Sequence, residues 1–255
     1  MDGPELRRIR YQPEMPVSDI FLCLSAADID AVVRSIDTLG YGVIRNCLPE
    51  ALLVNTRRFV QDRVGRNGGE YMHFTGSDAV QGTLLEALSQ SGNFNRACRE
   101  IYRAGTQNVP PPSRFHMVLR CLAGKTGQKH AYYFHYDSYV LTALVPVIIP
   151  IEGISGDLIM FPNRRKIRRN YVHNLIDKVL LDNPASQWAL RFGVRSGWLK
   201  PVRLKMEPGN VYMFWGYRTL HTNEPCDVDK IRSTGLMHYA DPHAGSWLRQ
   251  KLGRA

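Results

Sequence analysis

Apolar residues repeat with two different periods along the chain, and the change falls near Pro110-Pro111-Pro112. Before that point the spacing is helical. Ile29, Val32, Val33 and Ile36 recur at three- and four-residue intervals behind Ser25, a good N-cap, so a helix is expected over residues 26–38. Gly40 to Arg45 reads as a short strand. Pro49-Glu50 opens a second helix running to about Val64, with the proline in its favoured early position. Leu84 to Ala104 carries a third helical pattern. After the prolines, Phe115, Met117 and Leu119 alternate on one face of a strand over residues 114–122. Residues 131–137 and 139–149 are β-branched and aromatic-rich, and 156–162 reads as a strand closed by Pro162. Strands over 202–206, 210–216 and 231–239 complete the set, and residues 171–190 form a helix with a break near Asn183-Pro184. Short strands bounded by Gly and Pro predict a mainly β sandwich or barrel, with flanking α-helices packed outside it. No repeat or linker divides the chain. Residues 1–255 are therefore expected to form a single domain, with a helical front over about 1–110 and a β core over about 111–240.

Composition narrows the class. A hydrophobic content of 44% with 10% aromatics excludes a disordered chain. The 21 Gly and 15 Pro show no period, which excludes collagen-like and low-complexity chains. The longest apolar stretch, Val140 to Ile151, is interrupted by Thr142, Pro146 and Pro150. It falls far short of the roughly 20 residues that span a bilayer, so no membrane span is expected. Five cysteines without CxxC spacing argue against both a disulfide framework and a zinc–cysteine site. No apolar signal core follows the basic stretch Met1 to Arg10, so a cytoplasmic location is expected. Lys+Arg exceed Asp+Glu by 33 − 23 = +10, which points to an anionic partner of unspecified size.

The candidate chemistry centres on His135-Tyr136-Asp137. In a strand, residues i and i+2 point to one face, so this His and Asp can hold one metal ion from one side. A third ligand must come from elsewhere. Two His and one carboxylate leave three positions open, a set suited to non-heme Fe(II) oxygenases. With eight His and 23 acids in 255 residues, about one H-x-[DE] arises by chance. The later segment adds weight. Pro208-Gly209 begins a turn and a strand, His221 follows 84 residues after Asp137, and Arg232 lies 11 residues beyond that His.

In this order, spacing and strand context the chain resembles the Fe(II)/2-oxoglutarate-dependent oxygenases, in particular the phytanoyl-CoA hydroxylase-like superfamily. The resemblance covers roughly Arg114 to Tyr239 and the Gly40–Arg45 segment. It implies a double-stranded β-helix, a jelly-roll or cupin-like barrel with flanking helices. It implies that His135, Asp137 and His221 hold Fe(II) and form the catalytic triad. Arg232 would pair with the distal carboxylate of the cosubstrate 2-oxoglutarate, as the fork of a guanidinium suits. Thr234 matches an assisting hydroxyl on the same strand face, and Tyr132 or Tyr133 is placed to donate another. O2 would take the last position, and 2-oxoglutarate would leave as succinate and CO2 while a C–H of a small-molecule substrate is hydroxylated. Related halogenases carry a small residue in place of the Asp, so Asp137 favours hydroxylation. Phe134 stands where relatives often have Trp.

Further residues have both functional and structural readings. His238 shares a strand face with Arg232, Thr234 and Leu236, and His116 shares one with Arg120. All of these can reach a substrate, or serve as hydrogen-bonded structural groups. Trp215 is expected in the core. The basic run Arg164-Arg165-Lys166-Ile167-Arg168-Arg169 lies between the two halves of the triad. It suits a lid over the barrel mouth for an anionic substrate, with Arg165 as its representative, a solvated loop, or a nucleic-acid or membrane patch. A basic nucleic-acid-binding protein is the competing class, but there is no Cys/His finger, RNA-recognition aromatic pair or isolated basic helix. A nucleic-acid demethylase usually has a second Arg six residues after the first, where His238 stands. A cupin-type metal barrel that does not use 2-oxoglutarate leaves Arg232 without a task. A small polar, anionic molecule is therefore the expected partner in preference to nucleic acid.

Overall fold

The computed structural model describes residues 19–112, 114–168, 170–247 and 251. The stretch Met1 to Arg10 and Arg169 of the basic run lie outside the described residues. Ser25 begins α1 (Ala26–Leu39) with a capping box: the Asp28 N–H donates to Ser25 Oγ, and the Ser25 N–H donates to the Asp28 carboxylate. Gly40, in the left-handed region at φ 94°, ends the helix and turns the chain into β1 (Gly42–Ile44). Next come α2 (Glu50–Arg66), which starts one residue after Pro49, and a short strand β2 (Met72–Thr75) that the periodicity did not reveal. The expected helix over 84–104 is two helices, α3 (Leu84–Gln90) and α4 (Gly92–Thr106). Ser91 ends the first and caps the second, its Oγ accepting from the Phe94 N–H.

The β half contains β3 (His116–Leu122), a short helix α5 (Gly124–Lys129), β4 (Leu141–Ile148) and β5 (Leu158–Phe161). Helices α6 (Tyr171–Asp182) and α7 (Pro184–Arg195) follow, broken at Asn183. Asn183 caps α7, and Pro184 opens it. Strands β6 (Val202–Leu204), β7 (Val211–Phe214), β8 (Leu220–Asn223) and β9 (Arg232–Tyr239) close the order. A six-stranded sheet runs β1-β7-β4-β9-β3-β2 and a three-stranded sheet runs β6-β5-β8, with antiparallel pairing throughout.

The large sheet sorts its side chains by the two-residue period. Met117, Leu119 and Cys121 of β3, Leu141, Ala143, Val145 and Val147 of β4, Val211 and Met213 of β7, and Met237 and Tyr239 of β9 share one core with α1, α2, α3 and α4. The opposite face sends Leu144, Tyr212 and Phe214 into a second core with Leu158 and Met160 of β5 and Leu204 of β6. That second face, between the two sheets, also carries Arg232, Thr234 and His238. This is the jelly-roll arrangement with helices outside.

The expected strand over 131–137 is not one. Tyr132 takes a positive φ of 55°, and successive backbone N–H groups reach different partners. The N–H of Tyr132 donates to Asn223 O, that of His135 to His221 O, and that of Asp137 to Gly216 O. Only His135 and His221 form a bridge. The segment crosses from β8 to the loop after β7 and cannot form a ladder with either. All five cysteines are free thiols.

Candidate active site

The bridge between His135 and His221 brings together residues 86 positions apart in the chain. Each backbone N–H donates to the other's carbonyl at 3.0 Å. One ligand atom from each of His135, Asp137 and His221 lies within 4.8 Å of the others, a spacing that can hold a metal ion. Asp137 Oδ1 is 3.7 Å from His135 Nε2 and 3.5 Å from His221 Nε2. The Nδ1 atoms are engaged on the far side, His135 with Tyr133 O at 2.9 Å and His221 with Thr219 O at 3.0 Å. A carbonyl only accepts, so each Nδ1 carries a hydrogen, and each Nε2 faces the carboxylate. Burial, followed by the His221 charge, pushes His135 down to about 4, so its ring is neutral at pH 7. Burial pushes Asp137 up, but the rings of His221, His238 and His135 and the Thr142 hydroxyl outweigh it and hold the carboxyl at about 2.

A support not visible in the sequence fixes the carboxylate. Thr142 on β4 is fully buried and donates its hydroxyl hydrogen to Asp137 Oδ2 at 2.5 Å. Thr142 Oγ1 is also 3.0 Å from His238 Nδ1. Because the single hydroxyl hydrogen is already committed, His238 Nδ1 must be the donor, which leaves its Nε2 free as an acceptor. Gly216 makes room for this pair. A Cβ there would sit 2.3 Å from both Asp137 Oδ2 and Thr142 Oγ1.

Two cavities meet at the cluster. The inner one is bordered by His135, His221, Arg120, Asn223, Arg232 and Thr234, with Leu144, Leu158 and Leu236 excluding water. Arg232 is 4% exposed and Thr234 3%, and both Arg232 Nε and Thr234 Oγ1 are buried without a hydrogen-bond partner. Such groups are costly unless something satisfies them. Burial and the neighbouring Arg120 charge press Arg232 down to about 10. Gly156, at φ 73°, lets the guanidinium stem pass, since a Cβ would meet Arg232 Cδ at 2.7 Å. Arg120 is held by Asn223 Oδ1 at 3.0 Å and by His130 O. Asn223 was not anticipated, although it lies two residues after His221 on the same strand.

The outer cavity, about 410 Å³, borders His135 and Asp137 from the other side. His116 and His238, paired across β3 and β9, form a triangle of rings with Tyr139 there, with centroids 5.5, 5.3 and 5.9 Å apart. Lys178 and Asp182 of α6 face the same space. Tyr133 lines this outer cavity, where burial and Asp182 raise its pKa, and it is not among the residues around Arg232. Its expected hydroxyl contact with the inner ligand is thus not formed.

Arg165 corrects another expectation. It is 8% exposed and does not stand over either cavity. Its Nε donates to Tyr217 O at 2.7 Å and one terminal nitrogen to Asp177 at 3.0 Å. The guanidinium carbon lies 4.0 and 4.2 Å from the Tyr136 and Tyr217 ring centroids. Two aromatic faces and a carboxylate draw it into the protein as a brace beneath Tyr136. Trp215 is fully buried, as expected, with its indole N–H donating to Asp37.

No family model and no curated protein matches the sequence. Solved structures do resemble this one. A prolyl hydroxylase from Trichoplax adhaerens, in complex with a hypoxia inducible factor peptide fragment, matches at TM-score 0.57 and 14% identity, over 86% of this chain and 92% of that one. The non-heme alpha ketoglutarate dependent epimerase SnoN from nogalamycin biosynthesis matches at 0.55 and 14%, over 85% and 82%. A Pseudomonas putida prolyl-4-hydroxylase matches at 0.50 and 12%, over 83% and 93%. These likenesses carry the fold and do not single out the phytanoyl-CoA hydroxylase-like branch. The chain has the jelly-roll fold of the Fe(II)/2-oxoglutarate oxygenases, and a His–Asp–His cluster lies within it.

Proposed function

We propose that this chain is a non-heme Fe(II)/2-oxoglutarate-dependent dioxygenase that hydroxylates an unactivated C–H of a small polar, anionic molecule. The order of H-x-D, His and Arg supports the reading that it is of the phytanoyl-CoA hydroxylase-like branch, with the helical front and β core as one catalytic unit. The reading is carried by the inner cavity, where Arg232 Nε and Thr234 Oγ1, both buried and without a hydrogen-bond partner among the described residues, sit beside the triad. A dicarboxylate with one end at the metal and the other at Arg232 satisfies both.

When bound, Fe(II) with 2-oxoglutarate and O2 supplies the oxidising equivalent, leaving succinate and CO2. The protein's own part is positional. His135 and His221 turn their Nε2 atoms toward the metal position because their Nδ1 hydrogens are held by backbone carbonyls. Asp137 stays ionised, and Thr142 fixes which oxygen remains free. Arg232 and Thr234 anchor the cosubstrate, and the leucines exclude water so that this attraction is strong. The substrate occupies the outer cavity, where His116, His238, Lys178 and the edge of Arg120 supply polar contacts.

The test is succinate release from 2-oxoglutarate with added Fe(II), screened over amino acids, acyl conjugates, sugars and nucleotides. His135→Ala should abolish turnover. Arg232→Met should raise the KM for 2-oxoglutarate by about 10²-fold or more, the scale of losing one partner of a buried charge pair. Full turnover in His135→Ala would sink the proposal, an unchanged KM in Arg232→Met would remove Arg232 as the cosubstrate anchor, and metal binding without any succinate release would return the chain to the cupin-type reading.

A further inference from the structure

The net charge is unevenly distributed. Residues 163–203 contain ten Lys+Arg and two Asp+Glu, so 10 − 2 = +8 of the chain's +10 falls in this one segment. The same segment holds exposed apolar side chains. Val172, Ile176, Val179, Leu180, Trp188, Phe192 and Trp198 are 43–83% exposed, seven of the fifteen exposed large hydrophobics among the described residues. The exposed apolar side chains of α6, α7 and the turn that follows thus lie in the same segment as the exposed cations Arg164, Lys166, Arg195 and Lys200.

The helical period explains how α6 carries them. Val172, Ile176, Val179 and Leu180 form an exposed stripe at spacings of four, three and one. Lys178, Leu181 and Asp182 lie on the opposite side, lining the outer cavity. On α7, Trp188 and Phe192 are one turn apart and stack at 5.4 Å with an interplanar angle of 11°. They remain 66% and 56% exposed. Gln187 and Val194 hold the other side of that helix against the β core, so the ring pair is an outer surface. Lys166, Arg195 and Lys200 are exposed around these rings in sequence.

We propose that the α6–α7 segment is a peripheral docking surface for a bilayer containing anionic lipid. Three observations choose this occupant. The exposed cations Arg164, Lys166, Arg195 and Lys200 meet their like in a second copy, which opposes self-association through this face. An aliphatic stripe offers no stacking plane or hydrogen bond to nucleic acid, but it enters an acyl boundary readily. Tryptophan and arginine or lysine together suit the headgroup level, the rings buried to their polar edge and the cations paired with lipid charge. A bilayer seated on the outer stripe leaves the cavity-facing side of α6 undisturbed. The inference stands apart from the oxygenase reading, because it concerns binding and not turnover.

The experiment is co-sedimentation of the full chain with vesicles of phosphatidylcholine alone and of phosphatidylcholine with phosphatidylglycerol, with tryptophan emission recorded in parallel. The protein should pellet with the anionic vesicles at low salt, with a blue shift in emission, and pellet poorly with the neutral ones. Trp188→Ser/Phe192→Ser/Trp198→Ser should weaken partitioning by about tenfold or more. Lys166→Glu/Lys200→Glu should remove the preference for anionic vesicles by a similar factor, about tenfold or more. This second variant keeps the test sharp if the first melts early. Absence of binding to anionic vesicles at low salt overturns the proposal. So does binding that neither variant changes, or binding to duplex DNA that the Lys166→Glu/Lys200→Glu variant loses while vesicle binding is nil.

Discussion

Thr142 gives the sharpest test of how the metal cluster is held. Its hydroxyl donates to Asp137 Oδ2 at 2.5 Å and lies 3.0 Å from His238 Nδ1, in a side chain with no exposure. Thr142→Val keeps the shape and removes both contacts. A hydrogen bond to a charged group contributes about 1.5–3 kcal/mol, and the buried oxygen left behind has no water to replace it. That corresponds to about 10–100-fold in metal affinity, the usual scale for losing a group that orients a ligand. Thr142→Ser is the complementary change, because it keeps the hydroxyl and loses one methyl, about 1 kcal/mol of packing. Anaerobic titration with Co(II) should therefore show weakened binding in the valine variant and near-native binding in the serine variant. Thermal melting should show a modest loss in the serine variant that does not track metal affinity. Wild-type Co(II) affinity in Thr142→Val would refute the reasoning, since Asp137 would then be positioned by its backbone alone.

Three further outcomes follow from the geometry. Gly216→Ala places a methyl 2.3 Å from Asp137 Oδ2 and Thr142 Oγ1, so metal titration should show binding weakened by more than about tenfold and melting a loss of about 1–3 kcal/mol. Arg165→Met removes the brace between Asp177, Tyr136 and Tyr217, and urea unfolding should register about 2–3 kcal/mol of destabilisation, less than for a fully broken buried pair because Arg168 still holds Asp177. Its turnover per folded molecule should be native, because neither cavity includes Arg165. In the metal-free protein, burial holds His135 near 4 and also lowers His238, whereas an unfolded His takes up its proton near 6.5. Between about pH 6.5 and 4 the unfolded chain binds more protons, so the melting temperature should fall as pH drops through that window and be flat above it for these groups. Added Mn(II) should move the fall to lower pH, because it binds the neutral rings.

What could be read from the chain follows local periods, and what could not follows contacts made at a distance. In β9 the alternation of Arg232, Thr234, Leu236 and His238 with Ser233, Gly235, Met237 and Tyr239 sends one set toward the small sheet and the other toward the helices. That sorting is legible because side chains alternate strictly in a strand. Caps at Ser25 and Asn183 are local in the same sense. By contrast β8 is buried at all four positions, so no alternation marks it. Thr142 stands in an apolar run and looks like strand filler until β9 brings His238 beside it. Residues 131–137 have strand composition, but their hydrogen-bond partners come from two different elements, which no period encodes. Arg165 looked solvent-seeking in a basic run because Asp177, Tyr136 and Tyr217 are assembled only in three dimensions.

The positive charge separates into groups with different physical tasks. Arg120 and Arg232 border one narrow cavity with no carboxylate among its lining residues, and each makes the other's charge harder to bury. Asn223 and the His130 carbonyl share the cost at Arg120, whereas Arg232 Nε has no such help. A site built this way is stabilised by an anion far more than by a neutral ligand, and it favours one long enough to reach from the metal cluster to Arg232. Arg165 and Arg168 belong to a second group that shares the Asp177 carboxylate, with Arg165 buried and Arg168 partly exposed. Lys166, Arg195 and Lys200 are exposed in the same segment as Trp188 and Trp198. The excess charge therefore has no single cause: a small part selects a cosubstrate-sized anion inside the fold, another part braces it, and the largest part faces outward.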